Sequence, residues 1–149
     1  MQDYLAILSP KNRSSWGGHG GGLGAGGNST VGDSDGGQCY YQQSMGKFHC
    51  GLVAVGIELN DVGPGDGGFG CVRGSHKVAF DLPQEWREAR TQEELPDCVA
   101  AIEARAGDAI IFTEALTHGT IPWRGAGERR TCFFKYCPHA VAAAACYYK

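Results

Sequence analysis

The stretch that most constrains the fold is FHCGLVAVGIELNDV, residues 48–62. Every second residue is apolar in its centre, at Val53, Val55, Ile57 and Leu59. Period-two alternation of mostly β-branched residues is typical of a β-strand, and the following GPGDGG is a strong turn signal. We therefore predict a core strand from Gly51 to Leu59 that ends in a tight turn.

Other segments extend this β pattern. FGCVRGSH after the turn predicts a second strand that forms a hairpin-like pair with the first. Ala109 to Phe112 and Arg130 to Cys137 predict two further core strands, joined by a connection rich in Gly and Pro. LPQEWREAR, residues 82–90, predicts a short helix inserted between strands, with Trp86 and Ala89 facing inward. Short strands with little helix indicate a mainly β sandwich or barrel.

The N-terminal part differs in composition from the rest. Residues 17–37 contain eleven glycines and two aspartates, so residues 20–37 are expected to form a poorly ordered loop. Gly22, Gly24 and Gly27 match GxGxxG, but no strand precedes them and no helix pattern follows. We therefore expect an N-terminal segment at residues 1–47, a folded domain at residues 48–149, and no nucleotide-binding loop.

Charge and hydropathy exclude several partner classes. The 149 residues carry a formal net charge of −3, which gives no reason to expect nucleic acid as a partner. No apolar run reaches the roughly 18 residues that a membrane-spanning helix needs. Seven cysteines without a CxxC pair suggest reduced thiols, and the N-terminus lacks the apolar core of a secretory signal. These features predict an intracellular, cytoplasmic protein whose partner is a small molecule, while its oligomeric state stays open.

His118 and Arg129 are the residues that suggest chemistry. His118 follows an apolar strand in the sequence THGT, where an imidazole could reach a metal at a barrel rim or simply form a hydrogen bond in a turn. Arg129 comes eleven residues later, beside Arg130. A guanidinium near an imidazole suits a ligand that chelates a metal at one end and carries a carboxylate at the other, as 2-oxoglutarate does. The alternative is a surface arginine pair.

Two phrases resemble a known family. CGLVAVGIELNDVGPGDGGFGCVRGSHK and ARAGDAIIFTEALTHGTIPW followed by ERR are similar to the phytanoyl-CoA dioxygenase family, over residues 48–137. The resemblance implies a double-stranded β-helix, a cupin-like jelly roll that is incomplete at its N-terminus. It also implies an oxygenase that uses Fe(II), 2-oxoglutarate and O2 to hydroxylate a small organic substrate, which the sequence does not identify.

The same resemblance assigns roles to individual residues. His118 resembles the distal metal histidine, and Arg129 the partner of the cosubstrate's far carboxylate. Thr120 resembles the hydroxyl that helps to hold the cosubstrate. Arg130 is the alternative to Arg129, because adjacent strand residues face opposite ways. His76 in RGSHK matches a family histidine that we interpret as supporting the site.

The first metal motif of the family, HxD, is altered here. His19, which precedes the predicted core strand, is the candidate for the first metal ligand. Gly21, however, stands where the motif has its aspartate. Asp33 or Asp35 could supply the carboxylate, water or halide could fill the vacancy as in halogenases, or the site could be inactive. The alternative function is therefore a non-catalytic jelly-roll binding module or an inactive remnant.

Overall fold

The computed structural model describes residues 2–9, 15–17, 41–77, 83, 85 and 88–139. Within these residues the regular structure is almost entirely β. The strands are β1 Gln2–Leu8, β2 Trp16–Gly17, β3 Tyr41–Ser44, β4 Lys47–Cys50, β5 Val53–Glu58, β6 Gly68–Val72, β7 Glu88–Ala89, β8 Val99–Ala101, β9 Ala109–Thr113, β10 His118–Ile121 and β11 Arg129–Tyr136.

The longer strands form two antiparallel sheets. The main sheet has the order β1-β11-β5-β9, and the second sheet has the order β10-β6-β8. Two short ribbons, β2-β7 and β3-β4, accompany them. The chain crosses from one sheet to the other between β5 and β6 and again at each step from β8 through β9 and β10 to β11, which is how a jelly roll is wound. The predicted mainly β, jelly-roll fold is confirmed.

The two sheets pack face to face through a small apolar core. Ala54 and Phe112 of the main sheet contact Phe69 and Cys71 of the second sheet, and all four are buried. The rings of Phe69 and Phe112 lie 4.7 Å apart, a typical packing distance for aromatic pairs. This core holds together the inner faces that carry the polar residues described below.

The three predicted core strands are confirmed as β5, β9 and β11, but β5 buries the face opposite to its branched residues. Ala54, Gly56 and Glu58 are buried, whereas Val53, Val55 and Ile57 are only half-buried and Leu59 is exposed. A Cβ at position 56 would lie 3.0 Å from the Phe133 ring, so the crowded interior favours a residue without a side chain there. The inner face of β5 is therefore small and polar.

The predicted hairpin between the first two strands is wrong. FGCVRGSH does not form a hairpin with β5, because β6 pairs with β10 and β8 in the other sheet. In the main sheet β5 lies between β9 and β11 and pairs with both. The connection between β9 and β11 contains a strand of its own, β10, which begins at His118. Winding between two sheets separates strands that are adjacent in sequence.

The helix predicted over residues 82–90 is wrong at its C-terminal end. Glu88 and Ala89 form β7, which pairs with Trp16 and Gly17 of β2. Ala89 is buried against Trp16, so tertiary pairing overrides the local helix propensity. Trp86 and the loop predicted over residues 20–37 lie outside the described residues. Within the described part of the chain, no helix is long and apolar enough to cross a membrane.

The N-terminal strand belongs to the main sheet. β1 pairs with β11 along its whole length, from Gln2 opposite Lys135 to Leu8 opposite Arg129. Leu8 then packs with Val62 and Trp123 in a separate buried cluster. The sheet therefore includes residues well before position 48, where the change in composition predicts the domain to begin.

Candidate active site

His118 is the first residue of β10 and faces the core between the two sheets. Its ring lies 4.6 Å from the Phe112 ring and 5.9 Å from the Phe69 ring. Its Nδ1 is 2.7 Å from the Leu116 carbonyl oxygen. A carbonyl oxygen can only accept, so Nδ1 carries the proton and the lone pair of the neutral imidazole is on Nε2. Metal-binding histidines are commonly oriented in this way.

The RGSHK segment braces the backbone just before His118. The Ser75 hydroxyl accepts a 2.7 Å hydrogen bond from the Thr117 amide, and both residues are buried. The Val72 amide donates to the Thr117 carbonyl over 2.9 Å. His76, the residue after Ser75, packs edge-on against Tyr41, and burial lowers the pKa of His76. The serine of this motif, rather than its histidine, is thus the residue bonded to the turn that carries His118.

Glu114, His118 and Lys135 form a group that we name the open cluster. Glu114 Oε2 lies 4.0 Å from His118 Nε2, and Glu114 Oε1 lies 2.8 Å from Lys135 Nζ. The three side chains are 15%, 8% and 23% exposed, respectively. The cluster thus has a buried imidazole beside a carboxylate and an ammonium that solvent partly reaches.

Glu58, Arg129 and Thr131 form a second group, the closed cluster, in which no residue is more than 2% exposed. Arg129 donates from Nε to Glu58 Oε2 over 3.1 Å and from Nη2 to Glu58 Oε1. The Thr131 hydroxyl donates to Glu58 Oε2 over 2.7 Å. Bidentate pairing and this third bond compensate for the loss of water around both charges.

A glycine lets the second sheet come close to this arginine. Gly68, the first residue of β6, has φ +91°, and a Cβ there would lie 3.1 Å from Arg129 Nε. Gly68 pairs with Ile121, three residues along β10 from His118. At roughly 3.3 Å per residue, the point where Arg129 packs lies about 10 Å along the strand from His118. That span suits an extended five-carbon dicarboxylate between a metal and a guanidinium.

The structure brings some of the predicted site residues together and places others elsewhere. Thr120 shares the face of β10 that carries His118, because the two are separated by two positions. Arg129 is buried, whereas Arg130 is exposed and forms an ion pair with Glu128. His19, Asp33 and Asp35 lie outside the described residues.

Sequence reasoning missed four polar residues of the site: Ser75, Glu58, Glu114 and Thr131. Glu58 and Arg129 are 71 positions apart, so no local pattern links them. Glu114 precedes His118 by four positions in one turn, and this short spacing is a signal in the sequence that the two side chains could lie close together. Thr131 follows Arg129 by two positions, which in a strand places both on one face.

A metal would find part of a ligand set here. His118 offers Nε2, and Glu114 offers a carboxylate oxygen on the same side. In the described residues, however, no three His, Cys, Asp or Glu side chains are grouped closely enough to hold a metal ion. The donors present suit Fe(II), which imidazole and carboxylate ligands bind in facial triads, but at least one further ligand would have to come from another part of the chain.

Comparison with known proteins gives a consistent result. The model of the phytanoyl-CoA dioxygenase family matches residues 34–131. The crystal structure of HygX from Streptomyces hygroscopicus with nickel and 2-oxoglutarate bound aligns with a TM-score of 0.70 and 26% identity. An iron-bound structure of HygX aligns with a TM-score of 0.68 and 27% identity. AviO1 from Streptomyces viridochromogenes shares the fold, with a TM-score of 0.59 and 20% identity.

These solved relatives are longer than this chain. The alignment with HygX covers 93% of this chain but 55% of HygX, and that with AviO1 covers 94% and 51%. The chain therefore spans about half the length of the solved structures it matches. A comparison with curated proteins finds no match.

Proposed function

The chain belongs to the phytanoyl-CoA dioxygenase family, and from this premise we propose that it is an Fe(II)- and 2-oxoglutarate-dependent oxygenase that acts on a small organic molecule. The observation that carries the proposal is the placement of His118 and Arg129. Each lies on an inner face of the jelly roll, and the estimated span between them suits 2-oxoglutarate. HygX, which shares the fold, has been crystallised with nickel and 2-oxoglutarate.

In this proposal His118 binds the metal through Nε2, and His19 is the second histidine ligand. When Fe(II), 2-oxoglutarate and O2 are bound, they supply oxidative decarboxylation of the cosubstrate coupled to oxidation of a C–H bond. The protein's contribution is geometric. The bond from Nδ1 to the Leu116 carbonyl and the Ser75 brace fix the direction of Nε2 before the metal arrives.

Arg129 is proposed to bind the far carboxylate of 2-oxoglutarate, with help from the Thr120 hydroxyl. Glu58 already engages Nε and Nη2, so the cosubstrate would approach the remaining Nη1 edge of the guanidinium. Glu58 thus holds the guanidinium plane in one orientation. The exposed position of Arg130 favours Arg129 over this neighbour as the cosubstrate residue.

The side chains that line the interior between His118 and Arg129 are apolar. Phe69 and Phe112 flank the His118 ring, and Phe133 packs against the same core on the inner face of β11. Aromatic walls limit the access of water, which strengthens polar contacts to the cosubstrate and protects reactive species from side reactions. We infer a small organic substrate because HygX has been crystallised with hygromycin B bound.

The proposal is tested by succinate formation. Wild-type protein is incubated with Fe(II), 2-oxoglutarate and air, and succinate is quantified beside His118→Ala and the matched control His49→Ala, which alters an exposed histidine of β4. We expect succinate from the wild type and from His49→Ala, and none from His118→Ala. If folded wild type produces no more than His118→Ala, the chain is not an oxygenase, and a binding module becomes the better description.

A further inference from the structure

We propose that Glu114 supplies the carboxylate ligand of the metal site, in place of the aspartate that Gly21 replaces in the HxD motif. The inference rests on the proposed function, because it assumes that His118 binds the metal. Two-histidine, one-carboxylate sets need a carboxylate beside the histidines. Glu114 is the carboxylate that an ion-pair contact places next to His118.

The first support is the distance between the two donor atoms. Glu114 Oε2 lies 4.0 Å from His118 Nε2. Ligand atoms each about 2.1 Å from a metal, at right angles to one another, are about 3 Å apart. A rotation of the flexible glutamate side chain that closes about 1 Å would therefore let both atoms bind one metal ion.

The second support is the turn that carries both residues. The Thr113 carbonyl accepts from the Leu116 amide over 2.9 Å, and the Thr113 hydroxyl accepts from the Ala115 amide over 3.3 Å. The Thr117 amide is held by Ser75 in turn. Because these bonds fix the backbone between β9 and β10, Glu114 and His118 keep their relative positions without a ligand, as a preorganised metal site requires.

The third support is the position of Lys135. Its ammonium binds Glu114 Oε1, while Oε2 is the oxygen nearest the imidazole. A carboxylate ligand commonly uses one oxygen for the metal and the other for a hydrogen-bonding partner that orients it. In this proposal Lys135 orients Glu114. The alternative is that Glu114 only forms an ion pair with Lys135 and does not bind the metal, and the experiment has to distinguish these two roles.

Metal affinity tests the proposal without relying on turnover. Co(II) is titrated anaerobically into the metal-free 149-residue chain, and binding is followed by the visible absorption of Co(II). The test variants are Glu114→Gln, His118→Ala and Lys135→Met. Asp33→Asn and Asp35→Asn remove the two rival carboxylates. Glu128→Gln, at an exposed ion pair, is the matched control. Since even residues that only orient a ligand change metal affinity by about 10–100-fold, we expect Glu114→Gln to weaken Co(II) binding at least that much. We expect Lys135→Met, which removes only the orienting residue, to weaken Co(II) binding less than Glu114→Gln does. We expect Asp33→Asn, Asp35→Asn and Glu128→Gln to leave it nearly unchanged.

Each outcome has a defined meaning. If Glu114→Gln binds Co(II) as the wild type does, or if Lys135→Met loses as much affinity as Glu114→Gln, the ligand role of Glu114 is overturned while the metal site at His118 stands. If wild type binds Co(II) no better than His118→Ala, the proposed function itself fails. Glu114→Asp keeps a carboxylate, and thermal unfolding shows that each variant is folded. We expect Glu114→Asp to retain Co(II) binding with a changed spectrum, and a loss equal to that of Glu114→Gln would also count against the proposal.

Discussion

The closed cluster and the open cluster contain similar charges in different surroundings. Each has a glutamate paired with a cation from β11, Arg129 in one and Lys135 in the other. The closed cluster is almost completely buried, and three side-chain hydrogen bonds converge on Glu58. In the open cluster, Glu114 and Lys135 are partly exposed and the contact from Glu114 to the histidine is 4.0 Å long.

The difference shows which end of the interior is fixed by its own hydrogen bonds and which end can accept a metal ion. A buried ion pair can hold its partners only if its hydrogen bonds are made within the protein, and the closed cluster makes them. The open cluster has a longer contact that a metal could replace. We therefore expect substitutions in the closed cluster to lower stability most, and those in the open cluster to change mainly metal binding.

The largest effect is expected for Arg129→Met. This change leaves Glu58 buried without its cation, which typically costs about 3–5 kcal/mol in free energy of unfolding. Urea unfolding measures the loss. The double variant Glu58→Leu with Arg129→Leu removes both charges and should recover most of it. A loss below about 1 kcal/mol for Arg129→Met would place the pair among solvent-screened surface pairs and remove the contrast between the clusters.

A smaller effect is expected for Thr131→Val, which removes the hydroxyl that donates to Glu58 over 2.7 Å and keeps the shape of the side chain. Hydrogen bonds to charged groups contribute about 1.5–3 kcal/mol to stability. Thr131→Ser keeps the hydroxyl and is the matched control. Thr131→Ser loses only the methyl group. A loss in Thr131→Val no larger than that in Thr131→Ser, measured by urea unfolding, would mean that the hydrogen bond contributes no more than the packing of one methyl group.

Lys135→Met should change stability still less. Its ion pair with Glu114 is partly exposed, and such pairs contribute about 0–1 kcal/mol, less at high salt. Unfolding measured at low and at high salt should give a difference from wild type that shrinks as salt is added. A loss as large as that of Arg129→Met would show that the open cluster is as structural as the closed one.

The smallest effect is expected at Glu93 and Arg124, an exposed pair outside both clusters. The hydrogen bond from Arg124 lowers the pKa of Glu93 from 4.5 to about 2. Because the folded pKa is lower than the unfolded one, any stabilisation is complete above pH 4.5 and is lost as the pH falls towards 2. Arg124→Gln should return the pKa towards 4.5 in an NMR titration. An unchanged pKa would show that the bond does not form in solution.

The positions of the strands and part of the site can be predicted from the sequence, but the pairing of the strands cannot. The period-two pattern of apolar residues predicts β5, β9 and β11, because this pattern depends only on residues that are close together in the sequence. The pairing of β6 with β10 depends on winding between two sheets, which adjacency in sequence does not reveal. The same holds for the site. His118 and Arg129 stand in recognisable motifs, whereas the partner of Arg129 is Glu58, 71 positions away on a strand whose branched residues face the other side.

The measurement that most directly tests the central claim is anaerobic addition of 2-oxoglutarate to the Fe(II)-loaded protein. Chelation of Fe(II) by the 2-oxo acid produces a visible charge-transfer absorption. We predict a saturable band for wild type, no band for His118→Ala, and a higher half-saturating concentration of 2-oxoglutarate for Glu58→Leu with Arg129→Leu. A folded, Fe(II)-loaded wild type that develops no band would contradict the claim that His118 and Arg129 hold the metal and its cosubstrate.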